Sequence, residues 1–367
     1  MRVYQKFPAA FKSDHWSEIV RLANAGDMKA AEFLASEHQD RSRATRAQNV
    51  IARRIRLQRV QLIRTQRIHI QKVKDAFEIA ASAMANRMIH LPNNVSAIAP
   101  MRQRVREIII DLRRSLTVIL TDLVWKSILL GVQNMGEALK PILRDNAESL
   151  KEELHDVNLL EARLTMGMDK AFSRRNKATV NLGSEKWERI VDRIYADIVR
   201  SNNAGLSLSE KIWDLTNRAE QDIKRILASD IAAGNSSREI ADRINKYVFT
   251  SGIDQDYQSG PGIYRSPLKN ALRVARTETN RAYTKASAAW ATNKAWVQGI
   301  MPTLSAAHKV EDDCDDVVAN APDGGYSPEV FASLIPVHPH CMCFGTYVID
   351  EKYLTGEPGT AEGDSDE

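Results

Sequence analysis

Apolar residues recur at helical spacing through the N-terminal part of the chain. From Asp14 to Leu91 there is no proline and no run of turn-forming residues, and good helix formers dominate. Gly26 allows a break between a short helix and a much longer one. Within residues 41–74 the apolar positions at roughly helical spacing are Ile51, Ile55, Leu62, Ile63 and Ile70. One stripe of the long helix is therefore predicted to be buried.

A turn and a second apolar helix follow. Residues 90–100 contain two prolines and an Asn pair, the residue types that connect helices. The apolar residues then return at steps of three and four: Val105, Ile109, Leu112, Leu116, Ile119 and Leu123. We predict an antiparallel helix that covers the stripe of the first. Its most apolar window, residues 115–133, carries Asp122 and Lys126, which are costly in lipid. We interpret it as a buried helix and expect no membrane partner.

The middle of the chain is also helical by pattern. Residues 146–165 are amphipathic, and the polar, weakly patterned residues 167–187 are the best candidate for a linker. Further helices are predicted over residues 184–200, 207–231 and 268–293. Candidate helix caps are Ser207 or Ser209, and Ser236 or Ser237 with Glu239 in a capping box. Gly234 predicts a stop after the helix over 207–231, and a new helix is predicted to begin at Ser236 or Ser237.

The C-terminal part of the chain has a different character. After Trp296 helix propensity falls, and Pro, Gly, His and Cys accumulate, which indicates short strands and loops in a small α+β unit. The predicted fold class is mainly α, with an extended N-terminal helical region and a small C-terminal α+β domain. The predicted domains are an elongated helical docking region (1–166), a helical middle region (167–260), the α+β domain (261–349) and an acidic disordered tail (350–367).

Composition and charge narrow the class of protein. The chain has 367 residues, 43% apolar and 27% charged, which is typical of a globular protein and excludes collagen-like, wholly disordered and disulfide-scaffold chains. The net charge is only +4. The N-terminus has no apolar signal region, and three cysteines are an odd number for a secreted disulfide framework. We therefore expect synthesis in a reducing cytoplasm.

Basic residues are concentrated in one segment. Residues 41–74 hold eleven Arg and Lys residues and no Asp or Glu. On a helix with one buried stripe, these side chains would fan out over the remaining surface. The candidates for nucleic-acid or partner binding are Arg53, Arg54, Arg56, Arg59, Arg64 and Arg67. Such a rod can bind DNA phosphates, attract an acidic protein surface, or form a solvated helix face.

The three cysteines lie close to histidines near the C-terminus. Thiolate and imidazole are the ligands that suit tetrahedral zinc, and His338 lies nearby as well. The expected ligands are Cys314, Cys341, Cys343, His308 and His340. A shared metal requires the chain to fold back so that Cys314 meets the Cys-x-Cys pair. The alternatives are a disulfide between Cys314 and one partner, or three buried free thiols.

Two further groups of residues are candidates for other roles. The acidic residues around Cys314, together with His308, resemble a metal-dependent hydrolase cluster but are more typical of a solvated loop. No Gly-rich phosphate loop, nucleophile elbow or His-Glu-x-x-His helix appears, so we expect the protein not to be an enzyme. Arg276 and Glu278 are expected to be buried and to hydrogen-bond the irregular backbone of the cysteine segment.

Three segments in the C-terminal half resemble, in order and approximate spacing, the Mu F-like family of phage minor head proteins. They are GNSSREIADRI (234–244), ARTETNRAYTKASAAW (275–290) and the segment from His308 to Phe344 that ends in PVHPHCMCF. The resemblance implies a virion component, present in few copies inside the head and associated with the portal and major capsid proteins. It implies a role in head assembly and in packaging or ejection of double-stranded DNA.

Two competing functions follow from the same residues. One is a metal-dependent nuclease or transferase delivered with the genome, which would use His308, the region of Asp313 and the cysteines. The other is a free DNA-binding protein, whose affinity would depend on the basic segment and fall steeply with salt. The sequence requires no cofactor, and zinc is the candidate that the cysteines and histidines suggest.

Overall fold

The computed structural model describes residues 43–89, 98–139, 185–199, 207–249, 264, 266–292, 294–305, 308 and 311–350. These residues form eight helices and two strands: α1 (Arg43–Ile89), α2 (Ile98–Leu139), α3 (Glu185–Val199), α4 (Leu208–Ala232), α5 (Ser237–Phe249), α6 (Pro267–Ala291), β1 (Val297–Thr303), α7 (Asp313–Ala319), α8 (Pro328–Leu334) and β2 (Phe344–Ile349). The mainly α fold with a small C-terminal α+β unit is confirmed. The predicted break at Gly26, the helix over 146–165, most of the linker and nearly all of the acidic tail lie outside the described residues.

The two long helices form an antiparallel hairpin, as predicted. His69 of α1 bonds to Asp122 of α2, and further along α1 Arg87 pairs with Glu107 of α2, so α2 runs back along α1. At 1.5 Å per residue, the 47 residues of α1 extend for about 70 Å. Ile51, Ile55 and Leu62 are fully buried, and the apolar positions of α2 cover them. Ile63 and Ile70 are only half-buried, because they lie on the flank of the stripe.

One helix among the described residues is long and apolar enough to cross a membrane by length and composition alone, over Ile98–Gln133. Half of its most apolar window is buried inside the chain. The two charges that the sequence places in this window pair with each other, with Lys126 Nζ 2.8 Å from Asp122 Oδ2. Gly131, near the end of the window, lets α6 approach so closely that an added Cβ would lie 2.6 Å from the Tyr283 carbonyl oxygen. This helix therefore packs against both α1 and α6.

Asp122 is the centre of a polar network inside the hairpin. Its Oδ2 atom accepts hydrogen bonds from His69 Nε2 at 2.7 Å and from Lys126 Nζ at 2.8 Å, while His69 Nδ1 bonds to the Thr65 carbonyl oxygen at 2.7 Å. Burial alone would raise the pKa of Asp122, but the bonds from His69 and Lys126 lower it to about 2. A carboxylate with a lowered pKa stabilises the folded state above its unfolded pKa and stops doing so as it becomes protonated.

We expect Asp122→Asn to destabilise the hairpin at neutral pH by on the order of 2 kcal/mol, because the mutant loses the preference for the ionised carboxylate. The difference between wild type and mutant should shrink as the pH falls from about 4 to about 2, where wild-type Asp122 becomes protonated. Urea unfolding of both proteins at several pH values measures this difference in the free energy of unfolding. Asp111→Asn, which removes an exposed carboxylate of the same helix, is the control and should change little at any pH. A constant difference down to pH 2 would contradict this explanation.

Helices α4 and α5 begin where the sequence predicts, whereas α7 and α8 lie in a region predicted to form short strands and loops. The Ser207 hydroxyl accepts a bond from the Glu210 backbone N–H, and the Glu210 carboxylate accepts one from the Ser207 N–H, which forms a capping box at the start of α4. Ser236 and Glu239 make the same reciprocal pair before α5. Gly234, at φ +76°, provides the left-handed turn between the two helices. Ser207 and Ser236 are therefore the caps.

All described elements share one hydrophobic core, which extends from Ile51 to Ile349. The hairpin α1–α2 packs against α4, α5 and α6, and β2 contacts α1. The predicted domain boundaries after residues 166 and 260 lie outside the described residues. Within the described part, the three predicted regions meet in this common core rather than forming separate ones.

The C-terminal unit is held between two antiparallel strands. Thr303 at the end of β1 pairs with Phe344 at the start of β2, and α7 and α8 lie in the chain between them. Tyr347 of β2 stacks on Trp290 of α6, and its hydroxyl donates to the Ser287 carbonyl oxygen at 2.5 Å. The unit is thereby fixed to α6, and the Cys-x-Cys pair lies immediately before β2, among the buried residues of the core.

Candidate metal centre

The three cysteines meet in the C-terminal unit, as the sequence interpretation requires. Asp312 caps α7 and so fixes Cys314 in the first turn of that helix. Cys341 and Cys343 lie in the irregular segment that leads into β2. The Sγ atoms of Cys314 and Cys341 are 3.6 Å apart, and all three cysteines are buried and unpaired by disulfides. The fold-back that brings Cys314 to the Cys-x-Cys pair is produced by the β1–β2 pairing.

His338 joins this cluster. Its Nε2 atom lies 3.1 Å from Cys314 Sγ, and the Cys314, His338 and Cys341 ligand atoms all lie within 4.8 Å of one another. His308 forms a second, overlapping group of the same size with Cys314 and Cys343. We name the five residues Cys314, Cys341, Cys343, His308 and His338 the cysteine–histidine cluster.

His340, which we expected as a ligand, is turned away from the cluster. Its Nε2 atom lies 3.1 Å from the Tyr264 hydroxyl oxygen, and its backbone N–H donates to Thr277 Oγ1. The residue adopts φ 66°, and it belongs to neither of the two groups of cysteine and histidine ligands found among the described residues. Burial and the nearby Arg276 and Arg273 lower the pKa of His340 to about 4, which keeps this ring neutral.

Polar groups surround both ring nitrogens of His338. Its Nδ1 atom lies 2.8 Å from the Pro339 carbonyl oxygen, which can only accept, so Nδ1 is a donor. Its Nε2 atom lies 3.1 Å from Cys314 Sγ and 3.1 Å from an Asp312 carboxylate oxygen. In the tautomer with the proton on Nδ1, Nε2 can serve as a metal ligand beside the sulfur.

The separation of Cys314 and Cys341 also fits a metal of the size of zinc. Tetrahedral zinc with Zn–S bonds of about 2.3 Å holds two thiolate sulfurs about 3.8 Å apart. The observed separation of 3.6 Å between Cys314 and Cys341 is close to this value and far longer than a disulfide bond of about 2.05 Å. The three thiols and one imidazole are also the donor types that bind zinc in closed sites.

The thiols perturb each other strongly. A hydrogen bond from Cys343 lowers the pKa of the Cys341 thiol, and the same bond together with burial raises the pKa of Cys343. Burial and the neighbouring Cys341 raise the pKa of Cys314. Without a cation the cluster therefore favours one thiolate shared by two thiols, and three thiolates require a positive charge in their midst.

The acidic run around Cys314 has a structural explanation. Asp312 and Asp315 form the capping box of α7, and the Asp315 carboxylate also lies 2.8 Å from His308 Nε2. Burial is the largest single influence and opposes ionisation of Asp315, but the hydrogen bonds from the Asp312 backbone and from His308 together outweigh it and lower the pKa of Asp315. His308, Asp312 and Asp315 do have ligand atoms within 4.8 Å of one another, whereas Asp313 is exposed and outside that group.

One arginine of the basic segment is part of this region rather than of the surface. Arg59 is only 4% exposed, which corrects its assignment to an outward-facing binding surface. Its Nη2 atom donates to the Met342 carbonyl oxygen at 2.5 Å and to Asn280 Oδ1 at 2.9 Å. The guanidinium also lies 4.6 Å from the centre of the Phe344 ring. The reason is helical phase, because Arg59 lies one turn after Ile55 on the buried stripe.

Other basic residues of α1 do face outward. Arg53, Arg64, Arg67, Lys72 and Lys74 are exposed, and Arg54 and Arg56 are half-buried. Arg53, Arg64, Arg67 and Lys74 are separated by 11, 3 and 7 positions, which are close to whole helical turns, so these four share one face, and Lys72 lies to one side of it. This face, which we name the basic stripe, extends for about 32 Å at 1.5 Å per residue.

Helix α6 supports the cysteine segment through different residues than expected. The prediction of a buried Arg276 is wrong, because neighbours surround α6 on all sides only further along the helix and Arg276 is exposed. Glu278 is buried, but it pairs with Lys211 of α4 at 2.8 Å. The backbone of the cysteine segment is held instead by Asn280, whose Nδ2 donates to the Cys343 carbonyl oxygen at 2.9 Å, and by Arg59.

No family model matches the chain, and neither the curated proteins nor the solved structures contain a significant match. Evidence for the function of this protein therefore comes from its own residues.

Proposed function

We propose that the protein is a structural component of a phage head, bound near the portal and acting in head assembly and in packaging or ejection of DNA. The observation that supports this proposal best is that the three segments that resemble the Mu F-like family pack against one another. The first contains the Gly234 turn and the first two turns of α5, the second lies in α6, and the third contains the cluster, and they are packed in one core. Asn280 of the second segment bonds directly to Cys343 of the third. Segments that are separate in sequence thus form one unit.

We propose further that the cysteine–histidine cluster binds one zinc ion through Cys314, Cys341, Cys343 and His338. His308, held by Asp315, is the alternative imidazole ligand. When bound, zinc supplies a cross-link between α7 and the segment before β2. Four protein ligands leave no open position for a substrate, and Cys314 is only 1% exposed. The proposed role of the metal is therefore structural.

The basic stripe provides the docking surface in this proposal. Four cations on a rigid helix face attract a polyanion at long range, and the attraction weakens with salt. Two polyanions suit a position near the portal: an acidic surface of the portal ring and packaged DNA. The apolar side of the same helix is buried in the hairpin, so the stripe faces outward.

The runner-up function is a metal-dependent nuclease, favoured by the proximity of His308, Asp312 and Asp315. Purified protein supplied with Mg²⁺ or Mn²⁺ would then cleave DNA, and Asp312→Asn would abolish cleavage while Asp313→Asn would not. The capping roles of Asp312 and Asp315 already account for their positions, which is why we prefer the structural function.

The test of the head proposal is the protein content of particles. Mass spectrometry of gradient-purified particles and of their DNA-free precursors should detect this chain in few copies, together with the portal protein. A host cytosolic protein of similar abundance, followed through the same gradient, controls for contamination. Absence of the chain from both particle types would refute the proposal.

A further inference from the structure

We propose that Arg59 is the counter-charge and positioning residue of the metal centre, so that metal binding and the seating of α1 against the C-terminal unit are coupled. This inference depends on the proposed zinc site. It assigns to one residue of the long basic helix a task different from that of the basic stripe. The two sites would then be connected through a helix that both of them share.

The connection is made through the backbone between two cysteine ligands. Arg59 donates to the carbonyl oxygen of Met342, the residue that separates Cys341 from Cys343. The same guanidinium donates to Asn280 Oδ1, and Asn280 in turn donates to the carbonyl oxygen of Cys343. Two of the three carbonyls of the Cys-x-Cys segment are thus held, that of Met342 from α1 and that of Cys343 from α6. Their positions set where the two sulfurs point.

Charge gives the second reason. Three thiolates and one Zn²⁺ carry a net charge of −1, which is costly in a buried site without a compensating cation. Burial lowers the pKa of Arg59, whereas the neighbouring Tyr283, Cys343 and Cys341 raise it. The buried cation therefore lies within electrostatic reach of two of the proposed ligands. A loaded centre would offset the cost of burying Arg59, and Arg59 would offset the charge of the centre.

The position of Arg59 is fixed on its other sides as well. Its guanidinium lies against the rings of Phe344 and Tyr283, at 4.6 Å and 5.6 Å from their centres. Gln66, two turns further along α1, contacts Met342 through its sulfur at 3.8 Å. Nη1 of Arg59 is buried and lacks a hydrogen-bond partner, so the hydrogen bonds do not fully compensate this cation. A nearby anionic centre supplies the missing compensation.

Coupling of this kind must act in both directions. Residues that orient metal ligands from outside the coordination sphere change metal affinity by about 10- to 100-fold when they are replaced. We therefore expect Arg59→Gln to weaken zinc binding by about 10- to 100-fold. Arg59→Lys keeps the charge but cannot bridge two acceptors in the same way. Its zinc affinity should therefore lie between that of wild type and that of Arg59→Gln. In the wild-type protein, zinc should slow amide hydrogen exchange in α1 around residues 55–66.

The experiment measures zinc affinity of the full chain by competition with a chromophoric chelator, and the absorption spectrum of the Co²⁺-substituted protein. Lys72→Gln, which removes an exposed cation of the same helix that lies outside the basic stripe, is the matched control and should bind zinc like wild type. Arg59→Met tests packing, because it fills the site without charge or donors. Wild-type affinity in Arg59→Met, or an unchanged Co²⁺ spectrum, would overturn the inference.

The outcomes separate this inference from the zinc site itself. If wild type binds no zinc, the proposed metal centre fails. If wild type binds one equivalent and the Arg59 variants bind equally well, only the role of Arg59 fails. If the variants do not fold, hydrogen exchange of the wild-type protein with and without zinc tests the coupling by itself. Identical protection of α1 in the two states would then contradict the coupling.

Discussion

Replacing Cys314 or Cys341 with serine is expected to abolish zinc binding and to destabilise the C-terminal unit by at least about 4 kcal/mol at free zinc 1,000-fold above its dissociation constant. The reason is the shortage of regular structure between β1 and β2, where the described residues form two helices of seven residues each. Structural zinc sites contribute their binding energy to folding, so loss of the ion removes a cross-link that the short helices cannot replace. Metal content by mass spectrometry and urea unfolding with and without chelator measure both effects.

The histidines provide the control for this prediction. His338→Ala should lower zinc affinity strongly, whereas His340→Ala should leave the metal content unchanged because its ring faces Tyr264. Acid should release the zinc, since thiolate and imidazole ligands take up protons as the pH falls. A wild-type protein that keeps its stability in chelator would show that three free thiols pack the site without metal, which is one of the sequence alternatives.

The helical part of the fold could be predicted because it is local. The hairpin follows from the period of the apolar residues between Ile51 and Leu123, and the caps at Ser207 and Ser236 follow from hydrogen bonds within three residues. The arrangement of the helices in one core could not be predicted in this way. Close approaches such as Gly131 against Tyr283 depend on pairs of residues far apart in sequence, which periodicity does not reveal.

In the candidate site, too, the residue types could be predicted from the sequence, but their arrangement in space could not. The residue types of the cluster were evident, since cysteines and histidines are concentrated near the C-terminus. Choosing His338 over His340 required the backbone, because the turn at Pro339 and His340 decides which ring faces the sulfurs. Arg59 could have been separated from the other arginines by its helical phase, which places it close to Ile55 and Leu62 on the buried stripe. Asn280 had no comparable signal.

Neutralising the basic stripe with Arg53→Gln, Arg64→Gln and Arg67→Gln together is expected to reduce incorporation of the protein into heads by at least about tenfold. Each cation lost removes a part of the attraction to a polyanionic partner, and the three residues share one face of α1. Incorporation is measured as the ratio of this chain to portal protein in purified particles. Binding of the same variant to DNA is measured in parallel at several salt concentrations.

The matched control removes the same charge from the other helix of the hairpin, through Arg102→Gln, Arg104→Gln and Arg106→Gln, which are also exposed. An equal loss of incorporation would mean that overall charge matters and not the stripe. If the stripe binds DNA, neutralisation should lower DNA affinity and should also make that affinity less dependent on salt. Each phosphate contact contributes about 0.9 to the slope of log affinity against log salt concentration, and up to three such contacts would be lost. Loss of incorporation with unchanged DNA binding would instead assign the stripe to an acidic protein surface, because only that contact would have been removed.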